Sequence, residues 1–385
     1  MVRAGAGIFY DLLGTRELAV SGMFMPPFFE RFVISKPSFP NALTAIANVK
    51  NPAPTLAALL YRPSQPYVAQ YQFSIQQDLG HDTVVEVGYS GSRGIHLEGY
   101  INNINTDKPE FLPGGQIYFP PNLGTVNPAF STTAVRTTNF DSYYNSLLTD
   151  VSAKLTSGLQ VQAKFAWSHS IDDDSIAIKN DSYNAEAVPT MYNYAANRGS
   201  SDFDSRLTFA ANFTWALPGV RSRAANMVLG GWAMDGLMQA QSGNPFNPTV
   251  GFDVAGLLGS GDQGQRPNFV PNGHSLITGD PTQYFNPLAF TLPAKGYLGN
   301  LGRNVFSGPG LVIVSLALER DFLKSEKRVL RIRAEAFNVA NHPNFQIPSG
   351  LELFDSTGAR LGTAGQITDT TTPSRQLQLS ARFSF

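Results

Sequence analysis

Three consecutive carboxylates, Asp172-Asp173-Asp174, form the densest set of hard oxygen donors in the sequence. Calcium takes such ligands. The run lacks the spaced Asp/Asn, Gly and Glu positions of a calcium loop, and a solvated charge run is the simpler reading. Asp253 and Asp262, in a Gly-rich stretch, invite the same idea and meet the same objection. The five histidines, His81, His96, His169, His274 and His342, show no paired zinc spacing. His81 falls in an expected turn, and His342 in an Asn-His-Pro-Asn phrase where turn formation accounts for it. There is no Gly-x-Ser-x-Gly elbow and no phosphate-cradling Gly-Lys-Ser/Thr. With no cysteine, disulfides and thiolate metal sites are excluded. The expectation is no metal, no cofactor and no enzyme.

A second group of charges stands at alternate positions of short regular segments: Glu86, Lys164, Asp235, Glu319, Arg331, Arg333, Glu335 and Arg382. Successive side chains of a strand point to opposite faces, so Arg331, Arg333 and Glu335 share one face. Two readings stay open. The charges line a lumen and touch a plug or a substrate, or they pair with one another in a solvated interior. Tyr143, Tyr144, Tyr183, Tyr192 and Tyr194 lie in or beside long loops, where they could stack on sugars, grip peptide or cap a barrel mouth.

The elements that must carry these residues are strands. Leu377, Leu379, Ala381, Phe383 and Phe385 alternate with Gln376, Gln378, Ser380, Arg382 and Ser384. The same period of two runs through 159–168, 207–215 and 330–337, and more weakly through 2–10, 67–78, 83–92, 145–155, 232–241 and 312–322. That makes ten candidate strands, each about the ten residues a tilted strand needs to cross a bilayer. Helical periodicity is nearly absent, with 41–60 the best candidate for a short helix.

Connections alternate in length. Gly80-His81-Asp82, Thr156-Ser157-Gly158 and 324–327 read as tight turns, and 218–230 as a medium one. Between them lie long Gly-, Pro-, Asn- and Ser-rich segments, 11–66, 93–144, 169–205, 242–311 and 339–374, expected to lack structure of their own. Short turns on one side and long loops on the other describe an outer-membrane barrel, with the long loops extracellular. Every short turn falls on the side where the chain ends, so the C-terminus is expected in the periplasm. Trp167, Trp215 and Trp232 sit at strand ends, where an interfacial girdle belongs. Only 15% of residues are charged, against about a quarter in a soluble domain. A net charge of −1 gives no support to a nucleic-acid partner. No apolar run is long enough for a transmembrane helix. The first ten residues lack the apolar core and cleavage site of a secretion signal.

Several phrases resemble the TonB-dependent transporters with an Oar-like β-barrel: Val2-Arg3-Ala4-Gly5-Ala6-Gly7-Ile8-Phe9-Tyr10-Asp11, Asp202-Phe203-Asp204-Ser205-Arg206, Leu229-Gly230-Gly231-Trp232 and Gln241-Ser242-Gly243-Asn244-Pro245-Phe246. Tyr284-Phe285-Asn286-Pro287-Leu288-Ala289-Phe290, Gly299-Asn300-Leu301-Gly302-Arg303-Asn304 and the run 333–345, ending Asn341-His342-Pro343-Asn344-Phe345, continue the resemblance in the same order. It implies the C-terminal part of a barrel of about 22 strands, preceded in relatives by a signal peptide, a carboxypeptidase-regulatory-like domain and a plug. The fold expected is therefore all-β, an antiparallel transmembrane β-barrel of which residues 1–385 supply about ten strands. The partners implied are outer-membrane lipid, the missing N-terminal barrel and plug half, the TonB complex acting through that part, and the barrel-assembly machinery. The terminal Phe385 resembles the C-terminal signal read by that machinery. Leu377, Leu379, Ala381, Phe383 and Phe385 are thus expected both to face lipid and to mark the chain for insertion. A passive structural or adhesive barrel is the alternative.

Overall fold

A computed structural model describes the chain except residues 13–18, 20–21, 24–52, 114–115, 122, 156–157, 177–187, 220, 223–225, 227, 258–264, 271–274 and 325–327. Tyr183, Asp262, His274 and most of the segments 41–60 and 324–327 lie outside the described residues. Alternating sequence becomes one antiparallel sheet. Its long strands are β1 (Val2–Tyr10), β2 (Tyr67–Gly80), β3 (Thr83–Ile101), β4 (Thr133–Leu155), β5 (Leu159–Asp172), β6 (Leu207–Ala216), β7 (Trp232–Gln241), β8 (Leu311–Lys324), β9 (Val329–Phe337) and β10 (Gln376–Ser384). Each pairs with the next in chain order, and β1 and β10 are the two edges of an open sheet.

The hairpin chemistry on the short-turn side follows from backbone freedom. His81 and Asp82 both take φ of 54° between β2 and β3. That is the left-handed geometry of a tight hairpin turn, which matches the strand twist. Gly158, with φ of 76°, turns β4 into β5.

Register carries the alternation across the whole sheet. Gln76 faces Glu86, Glu86 faces Asp150, Asp150 faces Lys164, and Lys164 faces Ala210. Farther along, Asp235 faces Ala317, Ala317 faces Glu335, and Glu335 faces Gln378. One face therefore carries these charges, with Leu148, Ala210, Leu237 and Ala317 interspersed among them. The other carries Phe73, Tyr89, Leu147, Phe165, Phe213, Leu318, Ile332 and Leu379, which a pleated strand must point the opposite way. Leu379, on the edge strand, is 82% exposed, and Phe73, Tyr89, Leu147 and Leu318 on the same face are also exposed, an apolar surface of the kind that marks a membrane or protein contact.

Three expectations need correction. β3 and β4 extend nine and twelve residues beyond the spans 83–92 and 145–155 on the long-loop side. Register shifts at Gly94/Leu97 and Leu97/Gly99 break the period there, and Ile101, Val135, Arg136, Thr137, Thr138 and Phe140 are all buried. With both faces covered, alternation vanishes from the sequence. The segment 41–60 is not a helix where it is described: Leu56–Leu59 is a short strand pairing in parallel with Thr133–Arg136 of β4. The long segments are not structureless either. Pro245–Phe246 pairs with Phe306–Ser307, and Asn268–Phe269 with Phe290–Thr291. Phe246, Val250, Phe285, Phe290, Leu353 and Phe354 close around them as a buried core built from segments 242–311 and 339–374. The long loops fold into a cap with its own hydrophobic centre.

Candidate functional site

The polar face concentrates its charges in the half nearest the short turns. Arg333 of β9 donates to Asp235 of β7 at 2.7 Å and to Glu319 of β8 at 2.8 Å, and its Nε donates to Glu335 at 3.0 Å. Arg331 donates to Asp321 at 2.8 Å and lies 3.7 Å from Glu319. Lys164 pairs with Asp150 at 3.1 Å, and Arg3 with Glu86 at 3.3 Å. All eight charges singled out from the sequence, Glu86, Lys164, Asp235, Glu319, Arg331, Arg333, Glu335 and Arg382, share this face by register. Arg382 stands directly across from Arg331 and has no ion pair among the described residues. Like charges so placed repel, and Asp321 and Glu319 offset this by holding Arg331. Partially exposed pairs of this kind contribute little stability each. Their consequence is a wall with few uncompensated charges. Arg3, Asp150 and Asp321 are the partners in these separate pairs that were legible in sequence only as single polar positions within alternating strands.

Above this belt, on the long-loop side, lies a second polar assembly. The Arg303 guanidinium bonds to Asp172, to Ser175 Oγ at 3.1 Å and to the carbonyl of Asn197 at 2.7 Å, and it lies 3.6 Å from Asp202. Asn304, at φ of 54°, donates to Asp202 and to the carbonyl of Ser200, both at 2.7 Å. Arg266 donates to Asn197 at 3.0 Å and to the carbonyl of Leu301 at 2.9 Å. Asp204 accepts from the Ser170 N–H at 2.8 Å and from Arg206 at 2.7 Å. A buried charge is tolerable only when paired and hydrogen-bonded, and these partners meet that condition. The network ties the top of β5 and the segment 196–206 to Arg266, Leu301, Arg303 and Asn304.

The three aspartates fall out separately. Asp172 faces Arg303, and Asp173 pairs with Arg198 at 3.4 Å. Asp174 accepts from the Tyr100 N–H at 2.7 Å and the Ile176 N–H at 3.3 Å. Burial pushes the Asp174 carboxyl up to about 8, outweighing those donors and Arg303. Asp253 caps the N–H groups of Gly256 and Leu257 at 2.8 and 3.1 Å. Among the described residues no cluster of three or more His, Asp or Glu could hold a metal ion. His342 donates its backbone N–H to Asn338 at 3.0 Å, so its phrase forms a turn. Of the tyrosines expected in or beside loops, Tyr143 and Tyr144 lie in β4, Tyr143 beneath the guanidinium groups of Arg93 and Arg198, and Tyr194 packs on Phe140. Tyr192 donates to the carbonyl of Thr106 at 3.1 Å. Among the described residues, none of these stacks on another tyrosine of that set.

An open antiparallel sheet with one polar and one apolar face, short turns at one end and a folded loop cap at the other, defines a membrane β-barrel wall. Residues 1–378 match the family model described as the outer membrane beta barrel domain, and the chain belongs to that family. Among solved structures it is similar to the outer membrane transporter YddB from Escherichia coli, at 11% identity and a TM-score of 0.43, over 87% of this chain and 34% of that one. It is similar to the copper transporter OprC at 11% identity and a TM-score of 0.41, over 100% of this chain and 36% of the other. For the pyoverdine outer membrane receptor FpvA from Pseudomonas aeruginosa PAO1 bound to pyoverdine, the values are 14% and 0.37, over 83% and 30%. The chain spans about a third of the length of these structures. A search of the curated proteins finds no match.

Proposed function

We propose that the chain forms part of the wall of an energised outer-membrane transporter of the Oar-like TonB-dependent class. In this reading the polar face lines the lumen, the loop cap lies outside the cell and the C-terminus lies in the periplasm. One observation carries it. Asp202, Arg303 and Asn304, which belong to the phrases that resemble that class, meet in one buried network, and Asp204 of the same phrase is anchored beside it on Ser170. A passive pore needs only a wall. A cap locked to the wall by buried charges suits a receptor that binds its substrate before admitting it. Energy coupling would run through a plug and its TonB contact, neither of which these ten strands supply. Insertion would use the barrel-assembly machinery acting on the end at Phe385.

The size of the cap also favours a second reading, a structural or adhesive barrel without energy coupling. Site-directed crosslinking of the full gene product in outer membranes separates the two. Capture of TonB, lost when the inner-membrane proton gradient is dissipated, is expected for the transporter. A steady open-channel conductance with no TonB capture would establish the passive barrel instead.

A further inference from the structure

The polar face also holds a cavity of about 390 Å³ at the β1 end of the sheet. It spans two rows of the wall. Register sets Gly5, Gln72 and Ser90 side by side in one row, and Gly7, Gln70, Ser92 and Tyr144 in the next. Ala6, Tyr71 and Gly91, the row between them, point to the other face, so the floor there is backbone. The two glycines make the depression, because any other residue at these strand positions would put a side chain into it. A Cβ at Gly5 would meet only Gln72, at 3.8 Å, whereas one at Gly7 would lie 3.2 Å from the Phe9 ring, which leans over that residue.

Among the described residues the lining is polar and uncharged. Arg3, two residues from Gly5, is held by Glu86 at 3.3 Å. The side chains of Gln70, Gln72, Ser90, Ser92 and Tyr144 make no hydrogen bond with other described residues. Directly across from Ser90, the Ser146 hydroxyl is buried and likewise has no partner among them. Buried hydroxyls are ordinarily satisfied, so this row has bonding capacity to spare. The charge belt differs: there Arg333 is taken up by three carboxylates of the wall itself. Phe9 comes from β1 and Tyr144 from β4, so two rings flank the amides and hydroxyls of β2 and β3.

We propose that this cavity is a binding site for a neutral oligosaccharide. The class follows from the lining. Sugar hydroxyls donate and accept at once, as the Gln amides and the Ser and Tyr hydroxyls here do. The apolar faces of sugar rings pack on aromatic side chains, which Phe9 and Tyr144 supply. A carboxylate or phosphate would find no cation in the lining, and a charge taken from water without a partner is costly. An extended peptide would look for free strand backbone, and that of β2 and β3 is already used in the ladders on both sides. The volume falls within the range of small-ligand sites. The site rests on the reading above, in which the polar face lines the lumen, and it adds the substrate class.

The test presents the full gene product, in detergent micelles, to an array of neutral oligosaccharides, uronate-containing oligosaccharides and uncharged peptides. Neutral oligosaccharides alone are expected to be retained. The tightest of them is then titrated against variants. Gly5→Val fills the floor of the cavity and is expected to weaken binding by about tenfold or more. Gln72→Leu leaves the floor open but removes one amide, and is expected to weaken binding about threefold to tenfold, as one lost neutral hydrogen bond does. Ser380→Ala, on the same face in β10, is expected to leave affinity unchanged. Retention of uronates or peptides in place of neutral sugars, or of nothing, overturns the assignment. Unchanged affinity in both Gly5→Val and Gln72→Leu puts the sugar elsewhere and overturns the site. TonB capture in the crosslinking experiment is read separately. Capture without sugar binding removes the site and keeps the transporter; sugar binding without capture keeps the site and removes the energy coupling.

Discussion

Arg303 and Asp172, 131 residues apart in sequence, face each other with side chains only 1% and 4% exposed. Removing one partner strands the other as a buried, uncompensated charge. Arg303→Leu is therefore expected to cost about 3–5 kcal/mol of the cap's local stability. Hydrogen exchange at Asn304 and Ser201 should accelerate, whereas amides in the middle of β6 and β7 should not change. Equal acceleration in both places would show that cap and wall unfold as one unit.

Asp174 links that same assembly to pH. Its carboxyl is raised to about 8 from an unfolded value of about 3.9. The protonated form is thus favoured in the folded cap. Its contribution is fully present below about pH 4 and is lost as pH rises towards 8. Asp172 and Arg303 are the charged groups that act on it electrostatically. Limited proteolysis of the cap should quicken between about pH 5 and about pH 8.5 in the parent chain, a window that spans most of that titration. Asp174→Asn, neutral throughout, should flatten that dependence. An unchanged pH profile in the variant would assign the effect to another group.

The belt on the polar face makes a charge-balance prediction. Arg333→Gln leaves Asp235, Glu319 and Glu335 without their shared partner. Stability should fall by about 1–3 kcal/mol. Pairing Arg333→Gln with Glu319→Gln should recover part of that loss, read as a positive coupling in a double-mutant cycle of unfolding midpoints. Simple additivity would mean that the belt is a set of independent solvated charges.

Adjacent residues of β10 should behave oppositely. Leu379→Arg puts a cation on the apolar face and is expected to cost about 2–4 kcal/mol if the position lies near the bilayer midplane. Ser380→Arg, on the polar face across from Arg333, should cost far less. Folding titrations into vesicles measure both. Similar costs would show that the two faces do not meet different solvents.

Deletion of Phe385 tests the end of the chain. Its ring stacks on Phe383 at 5.9 Å between centroids and is otherwise exposed. Its loss should leave β10 paired with β9 yet lower the amount of assembled protein in outer-membrane fractions. Undiminished assembly would remove the insertion role assigned to Phe385.

The wall was legible in the sequence because each strand meets two solvents, and a period of two records that directly. All ten strands, the short turns beginning with His81 and Asp82, and the shared face of Arg331, Arg333 and Glu335 follow from local chemistry. Where a strand is covered on both sides, as in Thr133–Phe140, the record is erased. The cap was illegible for a related reason. Phe246, Phe285 and Leu353 come from distant segments with no common period, and only their packing shows that they form one core. Arg303 reads in sequence as a loop cation; burial by the chain around it turns it into the centre of a network reaching Asp172 and Asp202. Local alternation by itself thus determined the sheet, its two faces and the side on which its turns lie. Tertiary structure alone decided which charges meet across strands and how the long segments close over them, because pairing energies depend on distance and burial, which no single segment encodes.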